Sequence, residues 1–112
     1  MLSIKAVLAK PFARIIHKRI QKWANKPIET QEKLFQDLIS IAASTTFGKD
    51  HDFISINAYS DFIKRVPVRD YEALKPYVEK VVKGQENVLW PGKPIYFAKT
   101  SGTTSGSKYI PI

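Results

Sequence analysis

Nine consecutive residues near the end of the chain, Thr100-Ser101-Gly102-Thr103-Thr104-Ser105-Gly106-Ser107-Lys108, hold two glycines, six hydroxyl side chains and a closing lysine. Glycine lets backbone N–H groups turn inward with no Cβ in the way, hydroxyls donate hydrogen bonds, and the Lys108 ammonium adds a mobile positive charge. Together these groups have the chemistry of holding a polyphosphate. The spacing restricts which kind of loop this is. A Walker loop follows a Gly-x-x-x-x-Gly-Lys pattern and runs from a strand into a helix. Here Gly102 and Gly106 enclose three residues, and Ser107 separates Gly106 from Lys108. The flanks also differ, since Lys108-Tyr109-Ile110-Pro111-Ile112 reads as extended, with Pro111 discouraging a helix at Ile110. A P-loop NTPase is therefore disfavoured. A flexible Ser/Gly hairpin turn is the plainer reading of the same residues.

The loop resembles the phosphate-binding signature of the acyl-adenylate-forming enzymes, the superfamily of acyl-CoA synthetases and luciferases. Upstream blocks narrow the resemblance: Phe47-Gly48-Lys49-Asp50-His51-Asp52-Phe53, Tyr59-Ser60-Asp61-Phe62-Ile63-Lys64-Arg65-Val66-Pro67, Asp70-Tyr71-Glu72-Ala73-Leu74-Lys75-Pro76-Tyr77, and Asn87-Val88-Leu89-Trp90-Pro91-Gly92. In this order they resemble the start of the Gretchen Hagen three (auxin-responsive promoter) family, whose characterised members are acyl acid amido synthetases. The resemblance runs from about Thr30 to Ile112. It implies an α/β fold: N-terminal helices followed by a β-hairpin that carries a phosphate-binding loop, the start of an adenylate-forming N-terminal domain.

The resemblance also implies a reaction. A carboxylic acid attacks the α-phosphate of ATP to give an acyl-adenylate and pyrophosphate, and an amine or amino acid then displaces AMP to form an amide. The cofactors implied are ATP and Mg2+, and the nucleotide site would comprise Thr100, Ser101, Gly102, Thr103, Thr104, Ser105, Gly106 and Lys108. Donors and a cation around the β- and γ-phosphates would stabilise the charge developing on the leaving pyrophosphate. No general base stands out among these residues, and none is required for the first step, because a carboxylate is already ionised near neutral pH. Family members are several times longer than 112 residues, so the chain reads as an N-terminal part, truncated after the phosphate loop and expected to be inactive alone. The pockets that select acid and amine would lie downstream.

The elements that must position the loop follow from periodicity and breakers. Seven positive charges and no acid precede Pro27, against eleven positive and ten negative charges in the remainder. Basicity is therefore a local feature of residues 1–26. There Phe12, Ile15, Ile16, Ile20 and Trp23 fall at helical spacing between the charges, which predicts a basic amphipathic helix started or kinked by Pro11. Packing of that stripe on the domain is the ordinary expectation. The alternatives are an organellar presequence, or a small helical binding module that uses this helix on a membrane surface or nucleic acid. No nucleic-acid partner is expected for the synthetase.

Residues 27–112 are expected to form the start of the catalytic domain. Pro27 ends the first helix, and Thr30 caps a second that runs through Leu34, Phe35, Leu38, Ile39 and Ala42 and stops near Gly48. Asn57 or Ser60 opens a short helix broken at Val66-Pro67. Tyr71 to Lys83 offers another, with Pro76 moving its start towards Lys75 and Gly84 ending it. Trp90-Pro91-Gly92-Lys93-Pro94 then turns into a strand over Ile95 to Ala98.

The remaining single residues are assigned structural roles. His51 between Asp50 and Asp52 reads as part of a turn, because adjacent side chains do not face one point. Trp90 is expected to plug the core edge, and Arg65 and Arg69 read as surface charges. With no cysteine and only His17 and His51, disulfides, thiolate zinc sites and a convincing metal cluster are excluded. A cytoplasmic setting fits, and no apolar run is long enough to span a membrane.

Overall fold

The computed structural model describes residues 4–102 and 106–112. The chain divides into two compact units, Met1–Leu34 and Phe35–Ile112. Among the described residues it is mostly helical, with a single two-stranded antiparallel hairpin.

The first unit contains α1 (Ile4–Ala24) and the opening turns of α2 (Pro27–Ala42). Pro11 lies inside α1 and does not start it. Helix α2 opens on Pro27, whose fixed φ and missing N–H suit a first helical position. Thr30 is therefore not the cap expected from the sequence. Its hydroxyl sits within the first turn and donates to the Lys26 carbonyl at 2.7 Å.

The second unit corrects a further boundary. Helix α2 ends at Ala42, and Gly48 belongs to a separate short helix, α3 (Thr46–Asp50). Thr45 makes the break: fully buried, its hydroxyl donates to Ala42 O at 2.7 Å and accepts from Gly48 N at 3.0 Å. One side chain thus closes α2 and caps α3. Gly48 is glycine for proximity, since a Cβ there would collide with the Ala42 carbonyl. The α3 donors Thr46 N and Phe47 N bond Asn87 O and Val88 O at 2.8 and 2.9 Å, which ties the helix to a distant loop.

Ile39, Ala42, Phe53 and Ile56 form the buried core, with Phe35, Phe47, Phe62 and Val66 packed on it. The aromatic rings meet edge to face, Phe35 with Phe62 at 5.7 Å and Phe47 with Phe53 at 5.9 Å. Helix α4 (Tyr59–Arg65) is closed at its start by neither Asn57 nor Ser60. Asp61 reaches back instead, its Oδ2 accepting from Asn57 N and Ala58 N at 3.1 Å.

Helix α5 (Tyr71–Val82) is capped by Asp70, whose carboxylate accepts from Ala73 N at 2.9 Å. Pro76 is inside the helix and does not mark its start. The cap, together with burial of Val78 and Val81, outweighs the hydrogen bond that Pro76 cannot donate. The helix ends as expected at Gly84 (φ 88°), with Gly84 N on Val81 O at 2.9 Å and Gln85 N on Lys80 O at 3.0 Å.

The following loop is pinned by Asn87, whose N–H donates to Gly92 O at 3.0 Å and whose Oδ1 accepts from Gly92 N at 2.8 Å. Trp90 does not plug the core edge, being 48% exposed, whereas Val88 in the same loop is buried at 1%. Strand β1 (Phe97–Lys99) starts later than the sequence suggests and pairs with β2 (Tyr109–Pro111), Lys99 opposite Tyr109 and Phe97 opposite Pro111. Hydrogen bonds between Ile95, Tyr96 and Ile112 extend the pairing to the open end.

Candidate functional site: the hairpin loop

The hairpin brings the two shoulders of the loop together. Thr100 N donates to Lys108 O at 3.0 Å, and Lys108 N donates to the Thr100 hydroxyl at 3.1 Å. That pair closes the loop at its base. Gly102 (φ 52°) and Gly106 (φ 79°) both adopt the left-handed conformation. At Gly102 the requirement is double, because a Cβ would stand 2.5 Å from the Gly106 carbonyl carbon and oxygen and 2.7 Å from Ser107 N. The two glycines thus form a narrow neck. Ser101, Gly106 and Ser107 are exposed around it. Thr103, Thr104 and Ser105, also expected at the site, lie outside the described residues.

Lys108 is half-buried, with its Nζ 5.4 Å from the centre of the Tyr71 ring. Among the described residues it joins no ion pair. Its charge lies against an aromatic face. Tyr71 also touches the strand behind it: its hydroxyl accepts from Tyr109 N at 2.9 Å and donates to Tyr109 O at 3.3 Å. Sequence reasoning did not assign Tyr71 to the site. The available signal was its place directly after the Asp70 cap, which puts it in the first turn of α5, but a contact to a residue 38 positions later has no periodicity to reveal it.

A second group of chemistry-bearing residues is closed on itself. His51 is buried and stacked on Phe47 at 4.1 Å, with Nδ1 2.8 Å from Phe47 O and Nε2 2.9 Å from Arg69 Nη2. Donation from Arg69 makes Nε2 the acceptor, so Nδ1 carries the proton and donates to Phe47 O. Arg69 also lies 5.7 Å from the Phe47 ring centre, and Arg65 pairs with Asp52 at 2.6 Å. Tyr77 donates to Asp50 at 2.8 Å. Burial, and then the Asp50 carboxylate, hold its phenol above the usual value. A phenol that keeps its proton when folded stabilises the fold below its unfolded pKa, and that contribution is lost as pH rises through the folded value. These contacts tie α3 to α5 and to the segment before it, in agreement with the structural role expected for His51.

Residues 16–112 match the family described as the GH3 family N-terminal domain. The chain belongs to the GH3 family. It is similar to indole-3-acetic acid-amido synthetase GH3.2 of Arabidopsis thaliana, with 28% identity over 94 residues that cover 83% of this chain and 17% of the relative. To 4-substituted benzoates-glutamate ligase GH3.12 of the same plant it is 29% identical over 102 residues, covering 74% of this chain and 18% of that protein. A shorter match, 45% identical over 47 residues, covers 42% of this chain and 10% of the probable indole-3-acetic acid-amido synthetase GH3.13 of Oryza sativa subsp. japonica. The GH3 chain therefore spans less than a fifth of these relatives. No solved structure matches it. The relatives are named as amide-forming ligases, and the hairpin loop lies inside the matched region. Among the described residues no helix is long and apolar enough to cross a membrane.

Proposed function

We propose that this GH3 chain supplies the phosphate-holding loop of an ATP-dependent acyl acid amido synthetase. The observation that carries the reading is the loop itself: a glycine neck between paired strands, ending in a lysine that joins no ion pair among the described residues, within the family's N-terminal domain. A carboxylate oxygen attacks the α-phosphorus of ATP and pyrophosphate departs. An amine, such as an amino acid, then attacks the acyl carbon, AMP departs, and the amine nitrogen gives up a proton. Residues 27–112 act in this scheme as the start of the adenylate-forming domain, and residues 1–26 as a basic helix preceding it.

The chain's part is to bind and orient the phosphates. Lys108 and the hydroxyls of Ser101, Thr103, Thr104 and Ser105 would hold the β- and γ-phosphates, Gly102 and Gly106 would let backbone N–H groups approach them, and Thr100 holds the base of the loop. This donor set fits a triphosphate, since its side chains are donors and its one charge is positive. Mg2+ would share the charge of the leaving pyrophosphate. The reading includes a cytoplasmic setting and no turnover by these 112 residues alone.

The test is ATP–pyrophosphate exchange by the full-length protein with a panel of carboxylic acids. Lys108→Ala is expected to lower exchange by about 10²-fold, the scale of losing one preorganised donor to a developing anion. Exchange equal to wild type would sink the assignment.

A second reading concerns α1. Phe12, Ile15 and Trp23 are each more than half exposed, along a helix that carries only positive charge. Such a face suits peripheral contact with an anionic membrane surface. Co-sedimentation with phosphatidylserine vesicles that is lost on replacing Lys18, Arg19 and Lys22 by glutamine would support it, and equal sedimentation with neutral vesicles would reject it.

A further inference from the structure

We infer that Tyr71 is the positioning residue of the loop, holding through one side chain both the strand behind Lys108 and the lysine's charge; its consequence for phosphate binding rests on the function proposed above.

The argument begins with the ladder. In an antiparallel pair, opposed residues alternate between those that exchange hydrogen bonds and those whose N–H and C=O point outward. Thr100 N bonds Lys108 O, and Ile112 N bonds Tyr96 O. Lys99 and Tyr109 are opposed between those positions, so the Tyr109 N–H and C=O face away from β1, along the outer edge of β2. An edge of this kind needs partners. The Tyr71 hydroxyl supplies both, accepting from Tyr109 N at 2.9 Å and donating to Tyr109 O at 3.3 Å. A single oxygen that donates and accepts is required to do this, which a phenol provides and a phenyl ring does not. The next outward-facing residue on that edge is Pro111, opposite Phe97, and proline has no N–H to satisfy. The Tyr71 hydroxyl and the missing N–H of Pro111 thus account for both outward-facing N–H positions of β2.

The same ring fixes the neighbouring charge. Lys108 immediately precedes the bridged residue, and its Nζ lies 5.4 Å from the Tyr71 ring centre. A lysine held against an aromatic face gives up part of its rotamer freedom before any ligand arrives. Tyr71 is itself anchored, as the first residue of α5 beside the Asp70 cap. Backbone, ring and ammonium therefore form one connected support at the loop's exit.

The test separates bridge, ring and ligand by NMR on the chain. Tyr71→Phe keeps the ring and removes the bridge, and Tyr71→Leu removes both. Exchange of the Tyr109 amide with solvent should quicken about fivefold or more in both variants, the scale of one lost hydrogen bond. The ring-current shift of the Lys108 ε-methylene should persist in Tyr71→Phe and vanish in Tyr71→Leu. Titration with inorganic tripolyphosphate should show binding weakened about threefold by Tyr71→Leu, with no further loss when that change is added to Lys108→Ala. An unchanged Tyr109 amide in Tyr71→Phe, or an ε-methylene shift indifferent to Tyr71→Leu, would overturn the positioning role. Tripolyphosphate binding indifferent to Lys108→Ala would overturn the phosphate reading alone, and the amide and methylene signals would still decide on Tyr71. If Tyr71→Leu fails to fold, Tyr71→Phe carries the decision.

Discussion

Helices α1 and α5 share a sequence grammar and differ in fate. Each alternates apolar and charged residues at helical spacing, and each carries a proline inside. Yet Phe12 on α1 is 67% exposed, whereas Val78 on α5 is 2% exposed. Helix α5 also has a carboxylate cap, a left-handed glycine stop and side-chain bonds from Tyr71 to Tyr109 and from Tyr77 to Asp50. Amphipathicity states that a face is available for burial. Burial itself depends on a partner, and in α5 the partners are named residues of α3 and β2.

This contrast can be broken by substitution. The largest effect is expected from Val81→Asp, which puts a charge without a partner into the buried side of α5. It should cost about 4 kcal/mol and unfold residues 35–112 in urea denaturation followed by tyrosine and tryptophan fluorescence. Asp70→Ala removes the α5 cap and should cost about 1 kcal/mol, read as a shift in the midpoint of the same curve. Phe12→Ser on α1 should change stability by less than about 0.5 kcal/mol, since its side chain is largely in water already. A large loss from Phe12→Ser, or none from Val81→Asp, would remove the distinction between the two helices.

How much was legible beforehand depended on range. Gly84 as a helix stop, the break at Val66-Pro67, the extended flanks of the loop and the structural role of His51 could all be read from residue type and local spacing. The errors arose where a residue acts at a distance, or where two mechanisms compete for one terminus. Thr30 is a good N-cap residue, but Pro27 offered an earlier first position and Thr30 became part of the turn. Gly48 carries a stop signal, yet Thr45 and Ala42 surround it closely enough to make it a packing glycine within α3. Trp90 carries the larger apolar side chain, yet it stays half-exposed while Val88, two residues earlier, is buried. At the site, the glycines and Lys108 were visible as a motif, whereas the bond from Tyr71 to Tyr109 was not.

The sequence by itself determined the family, the donor chemistry of residues 100–108 and the segregation of positive charge before Pro27, because these depend on residue identity and order. Only the tertiary structure decided that Gly102 must approach Gly106, that His51 is locked between Phe47 and Arg69, and that the Tyr71 hydroxyl bonds Tyr109 on the outer edge of β2. Each of these is a contact between segments whose relative placement is set by the packing of α3, α5 and the hairpin, and local propensity carries no term for such distances.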